Sequence, residues 1–151
     1  MHYFMIYQYK ATLPNYKAFV RLYEVKASTT LYALHLFLQN DLSFSPDQQV
    51  FFKSVDKEGI PIHEYGLFDM GNGSMDQVSL EGLLKEGIHT LHYVFDIFKG
   101  RYLILQFESA AEEELSRKTY PRTIMGQGGD PDQFREEQRS MDLNVEEYDS
   151  E

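Results

Sequence analysis

VSLEGLLKEGIHTLHYVFDIFKGRYLILQFE, residues 78–108, is the densest apolar stretch of the chain and decides its fold. It begins with a predicted helix at Leu80–Lys85, which Ser79 can cap through its hydroxyl. Gly87 is a natural stop for this helix, because glycine tolerates the positive φ that a helix end requires. The pattern therefore predicts a short, well-delimited helix that leads directly into strands.

Two apolar strands follow, Thr90–Phe98 and Arg101–Glu108. The dipeptide Lys99–Gly100 between them is suited to a tight hairpin turn. Both faces of the predicted hairpin are mostly apolar, which is typical of strands that are covered on both sides. We therefore expect this hairpin near the centre of a sheet.

The hairpin also carries opposite charges. With a two-residue turn, Phe98 pairs with Arg101 and Asp96 pairs with Leu103, so Arg101 lies diagonally opposite Asp96. An acid inside an apolar strand must be paired or hydrogen-bonded. We predict a structural ion pair or turn brace, with a catalytic role for Asp96 as the alternative.

The remaining chain alternates strand and helix signals. Pro14 and Asn15 can join the first two strands as a hairpin. The hydroxyls of residues 28–30 can cap a helix whose leucines recur at three- and four-residue steps. The glycine-rich segment Asp56–Met75 is interpreted as a loop in which a short strand can form. The other predicted elements are strands at His2–Leu13, Phe19–Lys26 and Gln49–Val55, a helix over Leu31–Leu42 and a short helix at Ala110–Lys118.

Together these elements predict an α+β fold: one domain over residues 1–131, with a mainly antiparallel sheet of about five or six strands and two main helices. Residues 132–151 are predicted to be a flexible acidic tail, or a tail that docks onto a partner, with a helical turn or two at Gln133–Ser140. Residues 112–151 hold 12 acidic against 5 basic residues of a chain whose net charge is −10.

The composition excludes several classes of protein. The 151 residues include no Cys, which excludes disulfides and thiolate metal sites and is consistent with a cytoplasmic setting. We see no secretory signal and no apolar run near the ~20 residues of a spanning helix, so no membrane partner is expected. Basic residues do not cluster, so nucleic acid is not an expected partner either.

Motifs for catalysis and nucleotide binding are missing: there is no Gly-x-Ser-x-Gly elbow, P-loop or dinucleotide fingerprint. The prediction is no catalytic residue, no cofactor and no metal, with enzymatic activity left open. A binding site would need polar side chains that the fold brings together. The candidates are His35, His63, His92, Asp96 and Arg101.

Several motifs resemble the plasmid pRiA4b ORF-3-like family. They are Leu34–His35 in the first helix, SLEGLLKEG at 79–87 before a strand with Tyr93, Phe95 and Asp96, and Tyr120-Pro121-Arg122 followed by Gly126, Gly128 and Pro131. The resemblance implies an α+β domain of unknown biochemical activity, often found on mobile elements. Family members usually continue the Asp strand with Gly-Asp and then Trp and His, whereas Ile97–Arg101 follows here.

The leading functional hypothesis is a non-enzymatic module that binds a protein or peptide, with the acidic tail as a contact or regulator. The alternative is an enzyme or a small-molecule- or metal-binding domain, with a pocket between the Asp56–Met75 loop and Asp96. The oligomeric state does not follow from the sequence.

Overall fold

The computed structural model describes residues 3–114 and 118–131 of the chain. In this part of the chain, seven antiparallel strands form one sheet, which two helices accompany. The α+β class is confirmed, but the predicted five or six strands are too few. The predicted tail at residues 132–151 lies outside the described residues. The elements are β1 (Tyr3–Leu13), β2 (Tyr16–Lys26), α1 (Leu31–Asp41), β3 (Phe51–Val55), β4 (Pro61–Tyr65), a 3-10 turn (Met75–Gln77), α2 (Leu80–Lys85), β5 (Thr90–Asp96), β6 (Arg101–Glu114) and β7 (Arg122–Gln127).

The strand order is β4-β3-β5-β6-β1-β2-β7. Strand β4 forms inside the predicted loop, and β7 forms in the glycine-containing segment where no strand was predicted. The predicted helix at Ala110–Lys118 is wrong at its start, because β6 continues to Glu114. Its last residues pair with the beginning of β1, from Tyr7 opposite Ala110 to Tyr3 opposite Glu114. These backbone partners override the helix propensity of alanine and glutamate.

The two helices are capped as predicted and are joined at their N-termini. Ser79 Oγ accepts a hydrogen bond from Gly82 N, and Thr30 Oγ1 accepts one from Ala33 N, each at 3.1 Å. Leu31 N donates to the carbonyl of Val78 at 2.9 Å, and Leu80 N donates to the carbonyl of Thr29 at 2.9 Å. Each helix start is therefore held by backbone from the segment that precedes the other helix.

Both helices pack on one face of the sheet, here called the helix-covered face. Leu31, Leu34 and Leu38 of α1 and Leu80 and Leu83 of α2 share one apolar core with this face. The core strand residues are odd-numbered in β1, β2, β5 and β6, because side chains alternate along a strand. In the described residues no helix covers the other face, here called the open face. Most hairpin residues on this face are half-buried, and Val94 is buried.

The predicted register of the β5–β6 hairpin is also wrong. Tyr93 pairs with Leu103, and Asp96 pairs directly with Arg101, with an irregularity between Val94 and Asp96. The connection therefore comprises residues 97–100, four residues rather than two, with Gly100 at φ 65°. This shift of three residues exchanges the faces of β6, and it places Leu103 and Leu105 in the core.

Arg21 anchors the last described residues to the sheet. Its guanidinium lies 4.4 Å from the centre of the Phe19 ring and donates to the carbonyls of Gln127 (2.6 Å) and Gly128 (3.0 Å) and to Asp130 Oδ1 (2.8 Å). Gly128 has φ +80°, and a Cβ there would meet the carbonyl oxygen of Ala18 at 2.6 Å. The segment after β7 therefore depends on one buried cation and one glycine.

Replacing Arg21 by Met should lower the free energy of unfolding by about 2–4 kcal/mol, because the carbonyls and the carboxylate lose their donor. Asp130→Asn should cost less than about 1 kcal/mol, because its carboxylate is partly exposed and the carbonyl contacts remain. Urea unfolding checks both values. Equal decreases in the free energy of unfolding of the two variants would contradict the anchoring role of Arg21.

Candidate interaction surface

Asp96 and Arg101 are the two predicted site residues that the fold brings together. Their closest atoms, Arg101 Nη1 and Asp96 Oδ2, are 3.7 Å apart, and the two side chains are 12% and 4% exposed. Asp96 Oδ1 also accepts a hydrogen bond from Lys99 N at 3.2 Å, and the Arg101 guanidinium lies 5.1 Å from the centre of the Phe95 ring. This geometry braces the turn, as one of the two interpretations of the sequence proposed.

His35 lies on the buried side of α1. Its Nδ1 is 2.8 Å from the hydroxyl of Tyr93, which donates to the neutral ring when the proton is on Nε2. Burial lowers the pKa of His35 and raises that of Tyr93, because each charged form would be desolvated. His35 therefore stands in the core as a neutral, hydrogen-bonded group.

His92 lies on the open face, opposite in direction to its neighbour Tyr93. Its ring stacks on Tyr102 with the ring centres 4.2 Å apart and the planes inclined at 18°. Burial lowers its pKa, and Lys53 lowers it further. Lys53 is its cross-strand neighbour. A lysine beside a stacked, neutral imidazole disfavours a bound cation.

His63 is in the edge strand β4, and it packs edge-on against Tyr65 with the ring centres 6.3 Å apart. Its backbone N–H donates to Ser54 Oγ at 3.1 Å. His35 and His92 lie on opposite faces of the sheet, so the predicted candidates are not one cluster. Within residues 3–114 and 118–131 no three His, Asp or Glu side chains are grouped so that they could hold a metal ion.

Exposed apolar side chains instead gather at one end of the sheet. Tyr65 ends β4 and Tyr93 lies near the end of β5, and both pair with Phe52 from opposite sides, about 10 Å apart by strand spacing. The chain leaves β4 and β5 at this end through residues 66–74 and 97–100. These two connections carry five exposed apolar residues, here called the apolar end: Leu67, Phe68, Met70, Ile97 and Phe98.

The longer connection is held by its own hydrogen bonds. Asp69 Oδ1 accepts from Gly71 N (2.7 Å) and Gly73 N (3.0 Å), which lowers the pKa of that carboxyl. Met75 N donates to the carbonyl of Gly66 at 2.9 Å, and the Met75 side chain is fully buried. Hydrogen bonds and the buried Met75 side chain therefore hold the loop, and Phe68 projects from it with 84% of its surface exposed.

The apolar end could not be predicted from the sequence, because its two connections, residues 66–74 and 97–100, are separated along the chain. Phe98 was assigned to a strand face, and the true four-residue turn leaves it 98% exposed. The signal that was available is composition: Leu67, Phe68 and Met70 stand in a glycine-rich loop, where polar residues are usual.

No family model and no curated protein matches this chain. Among solved structures, it is similar to the crystal structure of a protein of unknown function from Methanosarcina mazei Go1, with a TM-score of 0.79 and 15% sequence identity. The match covers 99% of this chain and 85% of that one, and at this identity it shows the fold alone. No described helix is long and apolar enough to cross a membrane.

Asp96→Ala should lower the free energy of unfolding by about 2 kcal/mol, because Arg101 stays half-buried without its carboxylate and Lys99 N loses its acceptor. Asp96→Asn keeps an oxygen acceptor and should lose about half as much. Urea unfolding, with Asp47→Ala as an exposed-carboxylate control, measures this. An unchanged midpoint for Asp96→Ala would remove the bracing role.

The His35–Tyr93 pair should make stability depend on pH. The folded pKa of His35 lies below its unfolded value of about 6.5, so the stabilisation is complete above that value and declines as pH falls through it towards the folded pKa. His35→Gln should flatten the decline between about pH 7 and pH 5, where histidine titrates. Thermal melts across this range measure the slope, with His63→Gln as the exposed control. If the melting temperatures of wild type and His35→Gln fall equally with pH, the assignment of this pH dependence to His35 is contradicted.

Proposed function

We propose that this protein is a non-enzymatic module that binds a protein or peptide, and that the apolar end is its contact surface. The observation that carries the proposal is the exposure of Phe68 and Phe98 on two adjacent connections at the same end of the sheet. Scattered apolar residues are normal on protein surfaces, whereas a cluster with aromatic members is typical of interaction sites.

The way in which the apolar end is held supports this role. The Asp69 turn and buried Met75 fix one connection, and the Asp96–Arg101 pair fixes the other. A surface that is ordered before binding loses little conformational entropy when a partner docks. Large side chains on pinned loops can therefore act as anchors that enter pockets of a partner.

The alternative is an enzyme, or a small-molecule- or metal-binding domain, with a pocket near the 56–75 loop and Asp96. A ligand there would have to compete with Arg101 and Lys99 N for the Asp96 carboxylate, which is almost fully buried. Phe68, Met70 and Phe98 point to solvent instead of enclosing a cavity. The geometry therefore favours the interaction module.

The test compares the full-length protein with Phe68→Ser/Phe98→Ser. Tyr32→Ser/Leu36→Ser is the matched control, because it also removes two exposed apolar side chains, from α1. Sedimentation velocity of each protein first establishes whether the chain associates with itself. Each protein then serves as bait for cell extract, and any protein retained by wild type is purified and titrated by calorimetry.

The expected result is a partner whose Kd rises at least tenfold, about 1.4 kcal/mol, for Phe68→Ser/Phe98→Ser and changes less than twofold for the control. A partner that binds both variants equally well would show that the apolar end is not the contact. If wild-type protein retains no protein that empty resin does not also retain, the proposal that the chain is an interaction module is contradicted.

A further inference from the structure

The open face of the sheet is a mixed apolar and charged surface that includes three lysines, and it is distinct from the apolar end. One continuous row of cross-strand neighbours crosses all seven strands on this face. The row is charged at its β4 and β3 end and uncharged at its β7 end, and most of its side chains are half-buried. Its members are Glu64, Lys53, His92, Ile104, Thr12, Val20 and Gln127.

Three lysines lie on this face. Lys53 belongs to the row, Lys10 pairs with Leu22 and Gln106 in the next row, and Lys26 pairs with Ile6 further along. The face also carries acids, and one of them, Glu64, lies directly opposite Lys53. Glu24 forms an ion pair with Arg122 at 3.0 Å, while Glu64 and Glu113 lie at the β4 edge and at the beginning of β1.

Two of these lysines lie near aromatic rings. Lys26 Nζ is 5.0 Å from the centre of the Phe4 ring, and Lys53 Nζ is 5.9 Å from that of Phe51. Lysine stems that lie along apolar surface keep their ammonium groups at its rim. A segment that fits this face therefore needs apolar side chains interspersed with carboxylates.

Residues 132–151 have this composition. They contain eight acidic residues against two arginines, and Met141, Leu143 and Val145 alternate with Asp142, Asn144 and Glu146. The described chain ends at Pro131, next to the Asp130–Arg21 ion pair at the β2–β7 edge. Twenty extended residues reach at most about 70 Å. The seven-stranded sheet is about 29 Å wide, so every lysine of the open face is within reach.

We propose that residues 132–151 bind the open face of their own chain, with carboxylates on Lys10, Lys26 and Lys53 and apolar side chains on the central strands. A tethered segment is present at millimolar effective concentration, so weak contacts suffice. The segment has eight acids and only two arginines, so at least six of its carboxylates remain for these lysines. The open face is thereby assigned to an intramolecular ligand.

The test is zero-length carbodiimide cross-linking of the full-length chain at low salt, read by peptide mass spectrometry. The expected result is that acids of residues 132–151 cross-link to Lys10, Lys26 and Lys53 at least fivefold more than to three other lysines. These are Lys57 and Lys99, which lie in turns between strands, and Lys85, which ends α2. Cross-links between Glu64 and Lys53 inside the sheet provide the internal standard. The preference should fall at 0.5 M salt, because exposed ion pairs are screened.

Mixing equal amounts of ¹⁴N and ¹⁵N protein distinguishes one chain from two. Cross-links that stay within one isotope support the proposal, and mixed-isotope products would assign the segment to a second copy and overturn it. Equal cross-linking of all six lysines, or none with residues 132–151, would also overturn it.

The variant Lys10→Gln/Lys26→Gln tests whether these lysines hold the segment. It should raise the mobility of residues 132–151 in ¹⁵N relaxation, and unchanged relaxation would contradict the proposal. None of these outcomes depends on the apolar end.

Discussion

Backbone pairing along both edges of β6 holds the sheet together. Strand β6 is the middle strand of the order, and it pairs with β5 on one side and with β1 on the other. Without it, the chain would separate into β4-β3-β5 and β1-β2-β7. Fourteen residues are needed because β1 extends past the beginning of β5, and the part of β6 after Gln106 pairs with β1 alone. The core follows from this arrangement, since both helices pack across the two halves.

Features that depend on neighbouring residues were predictable from the sequence. The hydroxyls of Thr30 and Ser79 cap their helices, and Gly87 follows α2, because a cap needs only a local partner. The first hairpin, formed by β1 and β2, is likewise a contact between adjacent segments. These predictions needed no knowledge of the rest of the chain.

Features that depend on distant strands were not predictable. The helix propensity of residues 110–114 gives way to pairing with the first residues of β1, a hundred positions away in sequence. Strand β7 contains Gly126 and is followed by Gly128 and Gly129, and its place next to β2 is fixed by Arg21, which no local pattern marks. In the β5–β6 hairpin, the observed register differs from the predicted one by three residues, with an irregularity near Asp96. The alternation of apolar and polar residues cannot reveal such a shift, because both faces of these strands are apolar.

The same limits explain the candidate residues. The sequence identified Asp96 and Arg101 as a pair because both lie in one hairpin, and the pair survives the register error, as long side chains reach either position. Whether His35, His63 and His92 meet depends on strand order and on which face each occupies. Neither is encoded in their spacing.

The proposed interaction role rests on how polar and apolar groups are distributed in the described residues. In residues 3–114 and 118–131, buried polar groups contact one another: His35 with Tyr93, Asp96 with Arg101, and Tyr23 with Asp41. Here Phe68 and Phe98 face solvent, although burying each would be worth about 2 kcal/mol. Two aromatic side chains that stay exposed at this cost are the reason for proposing that this end of the sheet contacts another macromolecule.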